Sequence, residues 1–323
     1  VNSVSPEIRS HPVSDAVSIA AGDLAADIIG GPLLTVTSLR LRDVEMLVDA
    51  AELPREYRVH AERAGITLLH PWANRLGGDD FQFGGVEAHL DRTDAGVEAT
   101  VTRDGNGLAI HGLTGGCRWR PEPVGPSACR AALTWLGTPA FPFPHQVLVQ
   151  LEIIQDESGA ALRFSTTVAA LSAVAVPVSF GWHPYFRCDR RAGTELELPG
   201  LSALQADARG LPTGACIRRG PARISLVDQH FDEGVLLHGP QMSMHQSSAD
   251  GSAQSITVDF DQGYPYGQLF APVDAPVVSL EPMTAPTDAL RQRAGLPVAV
   301  SDRPYTAQFT VGVLRSEPAL RAA

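Results

Sequence analysis

No lysine occurs in this chain of 323 residues; all 25 basic residues are arginine. That removes Schiff-base chemistry, pyridoxal-phosphate anchoring and any P-loop in one step. Cysteine is scarce. Cys117, Cys129, Cys188 and Cys216 stand far apart with no Cys-x-x-Cys spacing. This argues against a zinc knuckle and against a disulfide framework in so long a chain, and a reduced, cytoplasmic setting is expected. Long apolar runs are missing as well. The most apolar window, 168–180, is shorter than the roughly 20 residues of a spanning helix, and Pro177 interrupts it. The first thirty residues carry Asp15, Asp23 and Asp27 without a basic segment leading into an apolar run, so no signal peptide is read there. Positive charge is in deficit too. A formal net charge of -11 is the wrong sign for a phosphate-backbone partner, so neither nucleic acid nor membrane is expected as a partner.

What is present is a succession of short alternating runs. Period-2 patterning marks candidate strands at 34–41, 86–90, 97–101, 129–136, 146–154 and 161–168. Further runs lie at 194–198, 223–227, 255–260, 267–271, 277–281 and 305–314. Asp156-Glu157-Ser158-Gly159 reads as a hairpin turn between two of them. Thirty glycines and 25 prolines punctuate the rest. Helical patterning is confined to one short piece, 287–293, closed by Gly295. The reading is an all-β protein, a large antiparallel β-sandwich or barrel with very little helix. Residues 1–30 are expected as a leader that is partly ordered at most, 31–316 as one domain and 317–323 as a tail.

Several stretches carry residues suited to proton transfer or polyol binding. Val174, Val176 and Val178 alternate into Phe180-Gly181-Trp182-His183-Pro184-Tyr185-Phe186. Continuing that period puts Phe180 and Trp182 on the apolar face and His183 with Tyr185 on the other. Pro184 biases His183 toward extended backbone, so the strand runs through the histidine. Glu281 ends the apolar run Pro276-Val277-Val278-Ser279-Leu280, where a carboxylate is costly without a partner and has its basicity set by its surroundings. Asn74-Arg75 offers an amide beside a guanidinium fork able to bind vicinal hydroxyls. His111 precedes Gly112 after an apolar pair, and Asp232 is read as opening a turn. Tyr264, Tyr266 and Gln268 can stack or hydrogen-bond. Asp104-Gly105-Asn106-Gly107 reads as a turn and not a phosphate cradle. No histidine pair has metal-ligand spacing, so no metal is implied.

Taken in chain order, these motifs resemble the aldose 1-epimerase (galactose mutarotase) family. The matching positions are Asn74-Arg75, His111-Gly112, Gly181-Trp182-His183-Pro184-Tyr185-Phe186, Phe231-Asp232 and Leu280-Glu281-Pro282-Met283-Thr284. The resemblance covers residues 33–314. It implies a galactose mutarotase-like supersandwich with an open sugar-binding face and no cofactor. It also implies a catalytic pair, Glu281 as base and His183 as acid. Arg75, His111 and Asp232 then contact a small-molecule sugar; Asn74, Gln268 and Tyr185 are further candidate contacts, and a monomer or a homodimer is expected. Two departures stand out. Arg187 follows the Tyr-Phe pair where many members have asparagine, and Glu-Pro-Met-Thr differs from the galactose-specific members. With Arg190 and Arg191, Arg187 raises a hexose phosphate as an alternative substrate. A non-catalytic sugar-binding domain and a glycosidase using Asp232 with Glu281 are rival readings of the same residues.

Overall fold

The structure is a computed structural model that describes residues 15–54, 57, 64–92, 99–115, 118–156, 159–247 and 251–316. Two large antiparallel sheets pack face to face. One has 12 strands and the other nine, and three smaller sheets decorate their ends. Among the described residues, helix amounts to one α-turn, Ala289–Gln292, a 3-10 turn, Ala50–Glu52, and the helical residue Tyr57. The α-turn stays short because Asp288 and Arg293 at its two ends are both left-handed. The all-β sandwich expected from the alternation is the fold observed.

Alternation accounts for the layers. In the strand Ala128–Trp135, Cys129, Ala131, Leu133 and Trp135 are buried while their neighbours face outward. The long hairpin His145–Asp156 and Gly159–Ala170 keeps one register throughout, with Asp156 opposite Gly159 across the expected turn. Between the sheets, Phe164 stacks on Phe309 with centroids 4.3 Å apart, and Trp182 meets both rings. The final strand, Tyr305–Ser316, lies inside the nine-stranded sheet. It is paired on one side with Gly159–Ala170 and on the other with Ala253–Gln262.

Two expectations change. The domain does not begin at residue 31: Ala16–Ala21 and Leu24–Ile29 form a hairpin that extends the 12-stranded sheet. Leu24, Ala26 and Ile28 are buried, while Asp27 on the other face accepts from Ser18 and Arg40. Alanine-rich alternation and the aspartates hid this pattern, although the Gly22-Asp23 pair is a two-residue hairpin signal. The strand expected at 97–101 is described over Ala99–Arg103 and runs on past residue 101, while residues 97 and 98 lie outside the described residues. The N-terminal ten residues and the 317–323 tail also lie outside them.

The 12-stranded sheet carries the polar face that matters. Gly181 lies opposite Met283, and Phe186 lies opposite Val278. Both pairs keep one register, which sets His183 opposite Glu281. On the next strand Gln268 pairs with Glu281, and beyond it Gly234 pairs with Gln268. Directly opposed residues share a face in an antiparallel sheet. Histidine, glutamate and glutamine therefore stand in a row across three strands.

Candidate active site

His183 belongs to the strand Gly181–Pro184 and Glu281 to Val277–Met283. His183 Nε2 lies 3.5 Å from Glu281 Oε1, within ion-pair range but long for a hydrogen bond. Glu281 is 2% exposed and His183 7%. Glu281 Oε2 has no hydrogen-bond partner among the described residues. Burial pushes the Glu281 pKa well above the usual carboxylate range. The negative charge of Asp232 adds to this and the Arg75 guanidinium works against it. The His183 ring is stacked on Tyr185, with centroids 4.2 Å apart and planes within 5°, which fixes its plane. Trp182 points the opposite way, into the core, as the alternation requires.

Asp232 is on the strand Phe231–Leu237 and does not open a turn. The Phe231-Asp232-Glu233-Gly234 composition looked turn-like, but pairing with Tyr266–Ala271 extends it. Gly234 opposite Gln268 has no side chain, so the glutamine reaches along the sheet, and its Nε2 donates to Asp232 Oδ1 at 2.7 Å. Gln268 Oε1 is buried and has no partner among the described residues.

The opposite wall is the three-stranded sheet of Arg75–Leu76, Ala109–Gly115 and Ala99–Arg103. Asn74 and His111 both adopt left-handed backbone conformations, which asparagine and histidine tolerate better than most residues. Each holds the other: the His111 N–H donates to the Asn74 carbonyl at 3.0 Å, and the Asn74 N–H donates to His111 Nδ1 at 3.3 Å. With Nδ1 accepting, the His111 proton resides on Nε2. The His111 and His183 rings meet edge to face at 5.4 Å. Gly112 passes against His70, whose carbonyl accepts from Leu113; a Cβ on Gly112 would overlap that oxygen.

Floor and wall enclose an open cavity of about 220 Å³. The eight residues expected to act on or contact the sugar all line it: Asn74, Arg75, His111, His183, Tyr185, Asp232, Gln268 and Glu281. Tyr57, Ile110 and Phe270 complete the lining together with Asp104 and Gly105, which the sequence marked only as a turn. The turn at 104–107 is present, but the Asp104 carboxylate also receives Arg75 Nε at 2.7 Å. Nothing in the sequence tied that turn to Arg75. The flanking tyrosines Tyr264 and Tyr266 do not line the cavity; Tyr264 packs in the core against Phe180 and Phe309.

The arginine run lies elsewhere. Arg187 donates to Glu52 at 2.6 and 2.8 Å and to Asp189, and Arg191 donates to main-chain carbonyls of Pro272 and Gln229. Arg187 and Arg190 border a second polar cavity of about 240 Å³ that shares no residue with the His183 cavity. Among the described residues, no group of three or more His, Cys, Asp or Glu side chains is placed to hold a metal ion. Nor is any helix among them long and apolar enough to cross a membrane.

Solved structures share the whole architecture. A Slr1438 protein from Synechocystis sp. PCC 6803 superposes with a TM-score of 0.70 at 19% identity, covering 97% of this chain and 99% of the other. A galactose mutarotase-like protein from Clostridium acetobutylicum superposes with a TM-score of 0.69 at 16% identity, covering 93% and 95%. A galactose mutarotase related enzyme from Lactobacillus acidophilus gives 0.70 at 15% identity, covering 94% and 98%. At such identities the likeness establishes the fold. No curated protein sequence matches significantly. The family profile described as aldose 1-epimerase matches residues 34–295, a span that contains every residue lining the His183 cavity. With that match over most of its length, the chain belongs to the aldose 1-epimerase family.

Proposed function

We propose that the protein is a mutarotase that interconverts the α and β anomers of a free hexose by opening and reclosing its ring. The observation that carries this reading is a buried carboxylate facing an imidazole on the floor of an open cavity, Glu281 and His183 at 3.5 Å. Ring opening takes the proton from the C1 hydroxyl and gives one to the ring oxygen. Both oxygens are borne by one carbon, so base and acid must be near neighbours, as Oε1 and Nε2 are. Glu281, deprived of solvent, is the stronger base for it. It takes the hydroxyl proton while protonated His183 donates to the ring oxygen. Rotation about C1–C2 then presents the other face of the aldehyde. Closure reverses both transfers and returns Glu281 and His183 to their starting states. Each transfer by a positioned group is worth about 10²–10⁴-fold, and proton movement alone completes the reaction.

The remaining residues bind and orient. His111 Nε2–H and the Arg75 guanidinium are donors to the ring oxygen and neighbouring hydroxyls. Asp232 accepts from hydroxyls, and Gln268 Oε1, buried without a partner among the described residues, does the same. The lining sets one arginine against Asp104, Asp232 and Glu281, a surface suited to a neutral polyol. A sugar phosphate finds no additional arginine in it, because Arg187 and Arg191 are engaged elsewhere. The proposed setting is cytoplasmic; Cys129, Cys188 and Cys216 are free thiols.

The test is anomer exchange. Added to freshly dissolved α-glucose or α-galactose, the protein speeds the approach to anomeric equilibrium without moving its position, followed by polarimetry or anomeric-proton exchange. If no free aldose equilibrates faster than in buffer, the enzymatic reading is wrong and sugar binding without catalysis takes its place.

A further inference from the structure

We propose that Asp104 is the positioning residue for Arg75, deciding which of its N–H groups face the sugar. The proposal rests on the mutarotase reading for the nature of the substrate. Asp104 stands in the turn between Ala99–Arg103 and Ala109–Gly115, and its side chain is 6% exposed. Both carboxylate oxygens are occupied. Oδ1 accepts from the N–H groups of Asn106 at 2.9 Å and Leu108 at 3.0 Å, and Oδ2 accepts from Arg75 Nε at 2.7 Å. Burial raises the Asp104 pKa, but the hydrogen bonds from Arg75, Leu108 and Asn106 outweigh it and keep the group ionised.

Arg75 is thereby gripped on three sides. Asp104 takes Nε, Asn74 Oδ1 takes Nη1 at 3.2 Å, and the guanidinium lies against Gly210, where a Cβ would sit 3.2 Å from Nη1. Nη2 is left without an acceptor among the described residues, on a residue that lines the cavity. The guanidinium also acts on the base, since its charge is what opposes burial and Asp232 at Glu281. Holding Arg75 therefore sets both sugar contact and base strength, although Asp104 need not touch the sugar. Among the described residues, the charged or titratable groups facing Glu281 include His183, Asp232, Arg75 and Tyr185, with His111 and Asp104 in the same cavity.

Asp104→Asn tests this because an amide cannot accept on both sides. The turn presents two N–H groups and takes the amide oxygen, so the amide NH₂ opposes Arg75 Nε–H and drives the guanidinium away. Losing a charge-assisted contact of this kind raises KM by about 10- to 100-fold. It also moves the acid limb of kcat/KM to higher pH, as Arg75 no longer lowers the Glu281 pKa. Arg75→Ala has the same two effects, and the double variant D104N/R75A is no worse than R75A alone. Asp104→Ser, whose hydroxyl still caps the turn, gives the same result if D104N folds poorly. Wild-type KM and acid limb in D104N, or full additivity with R75A, overturns the proposal. If the wild type exchanges no sugar, the function reading falls. Carboxyl-carbon NMR titration of Glu281 in wild type and D104N, which needs no substrate, then decides the role of Asp104. A raised Glu281 midpoint in D104N supports the role, and an unchanged one refutes it.

Discussion

His183 Nε2 and Glu281 Oε1 face each other at 3.5 Å across one register of antiparallel sheet. The sheet itself sets their spacing, so neither a loop nor a hinge has to close to form the pair. That distinguishes the floor of the cavity from its wall, where left-handed residues and a turn hold the donors.

Glu281→Gln keeps the shape of the side chain and removes the base. Turnover falls by about 10²–10⁴-fold while hexose binding persists, read as exchange NMR against calorimetric titration. The same variant reports on stability. The folded-state pKa of Glu281 is raised by burial, so its contribution is fully present below the unfolded pKa and lost as pH rises through the folded one. The Tm of Glu281→Gln relative to wild type therefore climbs as pH rises. Equal loss of affinity and rate would make Glu281 a binding residue.

The pH profile carries a sign. Because burial and Asp232 raise the Glu281 pKa, the acid limb of kcat/KM lies well above the ordinary carboxylate range. Asp232→Asn removes the negative charge and moves that limb to lower pH, besides weakening sugar binding. His183→Asn abolishes the alkaline limb along with most of the rate. A limb that stays in place in Asp232→Asn separates Asp232 from the base.

A second histidine pair predicts acid lability. His145 Nδ1 donates to the Phe143 carbonyl at 2.6 Å, which leaves Nε2 to accept from His70 Nε2 at 2.8 Å. Trp119, Trp135 and Phe141 surround the two rings. Burial pushes His145 from 6.5 down to about 4 and His70 well below its usual range. Lowered values mean stability that is present above the unfolded pKa and lost as pH falls toward the folded one. The pair therefore makes stability fall as pH drops from 6.5 toward 4. Denaturant midpoints across that window measure it, and His145→Gln flattens the slope.

Gly112→Ala places a methyl against the His70 carbonyl in a left-handed conformation. Left-handed strain costs about 1–2 kcal/mol, and the overlap adds to it. Displacement of His111 lowers kcat/KM beyond the loss of folded protein. A variant with wild-type kinetics would show that the wall tolerates a shift here.

The floor was legible in the sequence because it obeys a local rule. Alternation through Val178, Phe180 and Trp182 puts His183 and Tyr185 on the other face, and both line the cavity. Glu281 was conspicuous as a carboxylate in an apolar run. What local rules do not carry is pairing between distant segments. Asp104 matters through Arg75, Asp232 is a strand residue because Tyr266–Ala271 lies beside it, and the 16–29 hairpin is part of the domain because the sheet accepts it. In each case short-range composition was read as a turn or a leader, and long-range contact decided the residue's place.

The position of Tyr305–Ser316 bears on how the protein is made. The last described strand is an interior member of the nine-stranded sheet, flanked by strands from the middle and from the later part of the chain. While it is still within the ribosome, those two neighbours have no common partner and that side of the sandwich is split in two. The nine-stranded sheet thus cannot be completed until this strand is free to pair with both neighbours. A premature stop after Glu281 would leave every cavity residue translated and the core unable to close around them.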